Sequence, residues 1–317
     1  MTEPNENPTP PTRGHAPVLL AETIGVLDPQ PGQTLLDCTA GLGGHSAAIG
    51  ERLGPTGRVV LVDLDPSNLE RATARVSGID EAPEVVAIHG SFAQAPRELA
   101  ERGILADLVL ADLGFASTQV DDPERGFSFR GDGPLDMRMD PTGPITCEEL
   151  VNTLGEDDLT KIIFEFGEER FARRVARKLV EARQAGPIQT TSQLAAVVRR
   201  AVPRMPNQRI DSATRTFQAL RIAVNDELGA LEGLLGSIER EAARQGDDRT
   251  WLGPIARIAI IAFHSLEDRP VKRRFKRLTD AGNAERLTRS PITASDAECA
   301  ENRRARSAKL RAIRLTR

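Results

Sequence analysis

A chain of 317 residues is long enough for one large domain or two moderate ones, and 39% hydrophobic residues suffice for packed cores but not for a membrane protein. No apolar run approaches the roughly 18 residues that span a bilayer, and no basic region followed by an apolar stretch marks a signal peptide. The net charge of −4 argues at first against a nucleic-acid partner.

In chain order, residues 1–13 hold four prolines among polar residues and read as a disordered tail. Leu35–Cys38 is a short apolar strand that runs into a glycine-rich turn, and His45–Leu53 is the helix behind it. Arg58–Asp63 (RVVLVD) is apolar without alternation, the mark of a strand buried on both faces. Pro66 suits the first turn of a helix reaching about Val76. Glu84–Ile88 and Leu108–Ala111, the latter flanked by Asp107 and Asp112, are the third and fourth strands. Such alternation predicts a parallel sheet with helices on both faces.

The alternation then stops. Residues 121–225 contain a Gly-, Asp- and Pro-rich loop (Asp121–Pro144) and amphipathic stretches near Asp157–Phe166, Glu168–Gln184 and Ser192–Ala201. A long helix near Phe217–Arg244 precedes a strand at Ile255–Phe263, and the last strand is expected at Ala308–Leu315. The fold class is therefore α/β: a Rossmann-like sheet domain of residues 14–120 and 226–317, interrupted by a mostly helical domain of residues 121–225 that would recognise the substrate.

The segment Asp37–His45 (DCTAGLGGH) carries the first chemical signal. Glycines let backbone turn sharply and approach a ligand closely, and the carboxyl end of the first strand is where α/β sheets bind ligands. Asp63 ends the second strand, where an acid accepts bonds from ribose hydroxyls, and Asp112 ends the fourth beside the same crevice. A dinucleotide site would need G-x-G-x-x-G to seat a pyrophosphate, but Ser46 occupies the third glycine position. An adenosyl sulfonium has no phosphate and is better matched by a glycine turn and acids, which favours S-adenosylmethionine over NAD.

Two basic runs qualify the acidic net charge. Arg269, Lys272, Arg273, Arg274, Lys276 and Arg277 crowd one stretch, and residues 303–317 hold seven basic residues and no acid. Local patches of this kind hold phosphates on an acidic molecule, although each is also readable as a solvated face. Cys38, Cys147 and Cys299 are far apart and make no CxxC pair, so neither disulfides nor zinc are expected and a reducing cytoplasm is the simplest compartment. The four histidines are scattered and form no metal-ligand cluster.

The chain resembles the bacterial 16S rRNA (cytosine N4) methyltransferase family, RsmH or MraW. The resemblance covers nearly everything from His15 to Arg311, through HAPVLLAE (His15–Glu22), DCTAGLGGHS (Asp37–Ser46), DDPERGFSFRGDGPLDMRMD (Asp121–Asp140), GEERFARR (Gly167–Arg174), RTFQALRIAVNDEL (Arg215–Leu228), FHSLEDR (Phe263–Arg269) and RARSAKLR (Arg304–Arg311). It implies that Gly43, Gly44, His45, Asp63, Phe92, Asp112 and Gln119 contact S-adenosylmethionine. It also implies a cytidine of the decoding centre as substrate, met within an assembling small subunit. The chain departs from the family pattern at Phe115 and Thr118, at Pro270 and at Arg303. Phe115 falls where it would reshape the pocket near the methyl group.

An exocyclic cytosine amine is a poor nucleophile because its lone pair is delocalised. It needs acceptors for its hydrogens and alignment with the methyl–sulfur bond, and finally a base. Asp112, the carbonyls of Leu113–Phe115, Asp136, His264 and Ser265 are the candidates. The alternative readings are that Asp136 pairs with Arg138, and that His264 enters a helix that Ser265 caps with Asp268 completing the arrangement. For an unstacked base and its phosphates, Phe115, Phe127, Phe129, Arg130, Arg273, Arg274, Arg304 and Arg306 are the candidates. The loop Asp121–Asp140 is expected to floor the base pocket and to move on glycines 126, 131 and 133. The rival functions are an RNA-binding ribosome-assembly factor without catalysis and an NAD-dependent dehydrogenase; monomer and homodimer both stay open.

Overall fold

The computed structural model describes residues 17–203, 211–244 and 250–316. The expected tail, His15 and Arg317 lie outside the described residues. The first half runs α1 (Leu20–Leu27), β1 (Thr34–Asp37), α2 (Gly44–Leu53), β2 (Arg58–Asp63), α3 (Pro66–Ser77), β3 (Glu84–His89), α4 (Ala95–Arg102) and β4 (Ala106–Asp112). A helical stretch follows: α5 (Ser117–Asp121), α6 (Cys147–Thr153), α7 (Glu156–Gly167), α8 (Ala172–Arg183), α9 (Thr191–Ala201) and α10 (Thr214–Asn225). The chain then returns to the sheet through α11 (Glu227–Ala243), β5 (Leu252–Ala262), α12 (Ser265–Asp280), β6 (Ala284–Arg286), α13 (Asp296–Glu301) and β7 (Lys309–Leu315).

Local chemistry sets the element ends that matter for the site. Asp65 caps α3 by accepting from the Ser67 amide at 3.0 Å, with Pro66 already fixed in φ for the first helical position. Thr146 and Glu149 form a reciprocal box at the start of α6: the Glu149 amide donates to Thr146 Oγ1 at 3.1 Å, and the Thr146 amide donates to Glu149 Oε2 at 2.9 Å.

The sheet order is β3-β2-β1-β4-β5-β7-β6. β1 to β5 pair in parallel, and Val59–Val62 of β2 are fully buried, as expected for strands covered on both faces. One face of the sheet packs on α4, α11 and α12, the other on α1, α2 and α3. Helices α6–α10 build a separate core of their own, which also takes in Leu135 and Met137 from the preceding loop.

The parallel sheet expected from the first four strands is present, while beyond β5 the strand β7 runs antiparallel between β5 and β6, and β6 is a three-residue strand with no apolar run to announce it. Two expectations are corrected. The long helix expected near Phe217–Arg244 is two helices, broken at Asp226, whose φ of 49° is left-handed. The helix expected from Glu168 starts at Ala172, because Glu168 also takes a left-handed φ of 50° and ends α7. Among the described residues, no helix is long and apolar enough to cross a membrane.

Candidate active site

The carboxyl ends of β1, β2 and β4 open into a cavity of about 390 Å³. The turn after β1 is clamped between two strands: the Cys38 amide donates to the Leu110 carbonyl at 2.8 Å, and the Ala40 amide to the Val62 carbonyl at 2.9 Å. Its glycines divide the work. Gly41 and Gly44 line the cavity, and a Cβ on Gly44 would lie 2.5 Å from Pro17 Cγ. Gly43 is buried and does not line the cavity; its φ is 71° and a Cβ there would sit 2.9 Å from Ala72 Cα. Of the expected cofactor contacts, Gly43 is thus placed against α3, where close helix packing demands glycine.

Asp63 joins the turn to the second strand. Its Oδ2 accepts from the Gly41 amide at 2.7 Å and its Oδ1 from the Asp65 amide at 2.8 Å. Each oxygen keeps a second lone pair, and the carboxylate lines the cavity. Burial pushes its pKa up to about 6, against the two amide bonds that lower it and with help from the negative charges of Asp65 and Asp37. Asp65 does not face the cavity. It takes a 2.7 Å bond from Arg125 and a 3.0 Å bond from Gln119, and these outweigh its burial to lower its pKa. Gln119 lines the cavity, but its amide group is committed to Asp65 and to the Ala116 backbone.

Asp112 lies on the same wall. Its backbone amide donates to Thr39 Oγ1 at 2.7 Å, while its Oδ1 is buried and has no hydrogen-bond partner. Its Oδ2 is 3.7 Å from His45 Nδ1, too long for a hydrogen bond. Burial holds the Asp112 carboxyl well above the usual carboxylate range, reinforced by the charges of Asp37 and Glu267. Burial lowers the His45 pKa to about 4, so this ring is neutral near pH 7. Its Nε2 lies 3.0 Å from the Val18 carbonyl, which can only accept, so the proton sits on Nε2 and Nδ1 faces Asp112 bare.

His264 and Glu267 complete this wall. Glu267 Oε2 accepts from the Phe263 amide at 2.8 Å and the His264 amide at 3.3 Å, which caps α12. The cap is therefore His264 with Glu267, not Ser265 with Asp268. Ser265 donates to Glu168 at 2.8 Å, away from the cavity lining, and Asp268 is paired with Arg311. His264 Nε2 is 3.0 Å from Glu267 Oε1 but poorly aligned with it, and neither ring nitrogen makes a hydrogen bond.

Other expected site residues fall in different surroundings. Phe92 lines the cavity and packs against the sheet core. Phe127 is parallel to the cavity-lining Phe115, 13° between planes and 6.0 Å between centroids. Phe129 packs edge-on to Phe217, centroids 4.8 Å apart, in the helical core and away from the cavity. Asp136 is held by Arg138 through both oxygens, which lowers its pKa despite partial burial, and it does not line the cavity. Arg274 is spent on Glu239 and Glu232 at 2.6 and 2.9 Å. Arg130, Arg273 and Arg306 are exposed. Arg304 is half-buried at the cavity, and burial lowers its pKa against the pull of Asp121.

The loop Asp121–Asp140 reaches the cavity only through Met139. Arg125 ties it down, donating to the Arg138 and Met139 carbonyls and to Asp65. A Cβ on Gly126 or Gly133 would lie 2.3 or 2.0 Å from a backbone oxygen, so these two positions require glycine for close packing. Sequence reasoning missed Arg221 as a lining residue and passed over Glu267. Both lie inside the motifs RTFQALRIAVNDEL and FHSLEDR, which was the only signal available.

The chain matches the MraW methylase family over residues 12–316. It is 46% identical over 303 residues to a ribosomal RNA small subunit methyltransferase H of Acidobacterium capsulatum, covering 94% of this chain and 97% of that one. It is 45% identical over 305 residues to the enzyme of the same name from Koribacter versatilis, covering 94% and 93%. The corresponding Geobacter sulfurreducens enzyme is 45% identical over 319 residues, covering 95% and 98%. With these matches spanning nearly its whole length, the chain belongs to the MraW methylase family of S-adenosylmethionine-dependent methyltransferases.

Proposed function

We propose that the chain methylates the exocyclic N4 of a cytidine in the decoding centre of 16S rRNA, acting in the cytoplasm on the small ribosomal subunit. The observation that carries this reading is a set of buried polar atoms with no hydrogen-bond partner. Of six buried side-chain N and O atoms without a partner among the described residues, three are Asp112 Oδ1 and the two His264 nitrogens, all on the cavity wall. Buried polar atoms are rarely left so, because the desolvation loss is uncompensated. An exocyclic amine brings two N–H donors to such a wall. A dehydrogenase is disfavoured by Ser46, whose buried hydroxyl donates to Asp37 at 2.5 Å where a third glycine would stand. A non-catalytic assembly factor has no use for these partnerless groups.

The residues fit the cofactor. The cavity volume lies within the roughly 300–1,000 Å³ common for small-molecule sites, Gly41 and Gly44 keep its floor free of side chains, and Asp63 retains lone pairs for ribose hydroxyls. Phe92 offers an apolar wall. When bound, S-adenosylmethionine supplies an electrophilic methyl group on a cationic sulfur. Asp112 and His264 hold the amine hydrogens and turn the nitrogen lone pair toward the reacting carbon. Asp112 Oδ1 then receives the proton released from N4, a role suited by its raised pKa. On this reading residues 121–225 are the substrate-recognition unit.

The test is mass spectrometry of nucleosides from 16S rRNA after incubating unmodified small subunits with the purified protein and cofactor. N4-methylcytidine is expected; an unchanged profile rejects the reading.

Asp63 makes cofactor binding pH-dependent. Its ionised form is the stronger acceptor for hydroxyl donors, so affinity should rise as pH rises through about 6. Calorimetry should show about ten-fold tighter binding at pH 7.5 than at pH 5, on the order of one charge-assisted bond. Asp63→Asn should flatten that rise. A parent and variant with parallel profiles would remove Asp63 from the ribose site.

Arg304 is expected to hold a phosphate. Its guanidinium makes no hydrogen bond or ion pair with the described residues, and Arg306 is exposed two residues on. Neutralising both should weaken RNA binding and reduce the slope of log K against log salt by about 1.5, from two lost counterion releases. An unchanged slope would leave both arginines as solvated surface.

A further inference from the structure

Four large hydrophobic side chains are exposed among the described residues, Leu105, Phe115, Phe164 and Ile255, and of these only Phe115 lines the cavity. It is 37% exposed there, yet it is held firmly from behind. The guanidinium carbon of Arg221 lies 4.3 Å from the centre of its ring. Arg221 in turn cannot rotate away. Its Nε and Nη2 donate to the two oxygens of Glu227 at 2.7 and 2.9 Å, and the two side chains are only 11% and 12% exposed. A two-point fork of this kind fixes the guanidinium plane.

Phe127 lies nearly parallel to Phe115 with ring centroids 6.0 Å apart, and Arg125 sits 5.8 Å from the Phe127 centroid while bound to Asp65. Pairwise contacts thus link Glu227, Arg221, Phe115, Phe127, Arg125 and Asp65, with a carboxylate at each end of the series. A buried ion pair contributes little net stability, since desolvation of both charges offsets their attraction. Its placement beneath an exposed aromatic ring therefore calls for a different role.

We propose that Phe115 is the stacking platform for the target base and that Arg221, locked by Glu227, is the positioning residue that sets its plane. The proposal rests on the RNA-methylation reading above and goes further by naming where the base lies. A base drawn out of its stack loses its neighbours' π contacts, and an exposed, immobilised ring replaces one of them at little cost in ordering. Phe115 stands three residues beyond Asp112, whose unpartnered oxygen lines the same cavity. Platform and acceptor thus share one strand end.

The experiment is steady-state methyl transfer to unmodified small subunits with labelled S-adenosylmethionine, alongside calorimetric cofactor binding and melting temperatures. Phe115→Ala should raise KM for the subunit about ten-fold, the scale of one lost base–aromatic stack, with cofactor Kd within about two-fold of the parent. Phe115→Trp should restore KM. Arg221→Lys keeps the charge but not the fork, and should lower kcat/KM several-fold in the parent yet nothing further in Phe115→Ala. If Arg221→Lys does not fold, Glu227→Gln takes its place in the same cycle. An unchanged KM in Phe115→Ala, or a matching loss of cofactor affinity, overturns the platform. Additive losses in the double variant overturn the positioning role. A parent protein that transfers no label to subunits rejects the methylation reading itself, and this inference with it; activity in the parent with unaltered Phe115→Ala rejects the inference alone.

Discussion

Replacing Asp112 with alanine is expected to raise the melting temperature while lowering turnover by at least about 100-fold, the low end for losing an acid–base group. The side chain is not part of the scaffold. Its Oδ1 has no partner, its Oδ2 is 3.7 Å from the nearest histidine nitrogen, and only its backbone is tied, to Thr39. Removal breaks no hydrogen bond and relieves a carboxyl that burial and two neighbouring acids disfavour in its charged form. The sign with pH follows. A carboxyl whose folded-state pKa is raised is most favourable to the fold when protonated, so its burden grows as pH rises, and the gain in the alanine variant should be largest at high pH. Catalysis runs the other way. The group must be ionised to take the amine proton, so the rising limb of kcat against pH should lie above the ordinary carboxylate range and vanish in Asp112→Asn. A lower melting temperature together with near-parental turnover would assign Asp112 to structure.

Gly43→Ala is expected to cost about 3 kcal/mol of stability, combining left-handed strain with overpacking. Gly103 supplies the control. Its φ of 65° matches the 71° of Gly43, but nothing lies within 4 Å of an added Cβ, whereas at Gly43 the Cβ would strike Ala72 Cα at 2.9 Å. Gly103→Ala should therefore cost only the conformational part, about 1–2 kcal/mol. Because α2 begins at Gly44, pushing α2 from α3 should also displace Gly44 and His45 and weaken cofactor binding. Urea unfolding of the two variants measures the difference; equal losses would mean that α3 yields to the added methyl.

The parallel strands were readable because strands covered on both faces are continuous apolar runs, and RVVLVD is one. The break between α10 and α11 was not, because no glycine marks it. Asp226 is held left-handed by its surroundings, and the preceding Asn225 bonds across to the Met137 carbonyl and the Met139 amide at 2.8 and 2.7 Å. In the site, Asp63 and Asp112 were legible as acids at strand ends. Arg221 and Glu267 were not singled out, since each reaches the cavity through tertiary packing rather than through any local pattern. Asp136, Phe129 and Arg274 show the converse. Residue type suggested RNA chemistry, but Arg138, Phe217 and the Glu232–Glu239 pair already engage them. Sequence displays what a side chain can do, and only packing shows whether a neighbour has taken it.

β4 and β5 are neighbours in the sheet although roughly 140 residues separate them along the chain, and closing a disordered loop of that length costs about 4 kcal/mol in chain entropy. The helical insert changes that arithmetic because it has its own core and can collapse from near-neighbour contacts before the sheet is complete. Once it has collapsed, its two ends are delivered as a compact unit and β5 has only a short distance to travel to β4. The insert is thus expected to act as a splint during assembly. Damage to its core would be felt first as slow refolding of the sheet, with incomplete sheet edges left open to pairing with other chains, even where the cavity residues themselves are untouched.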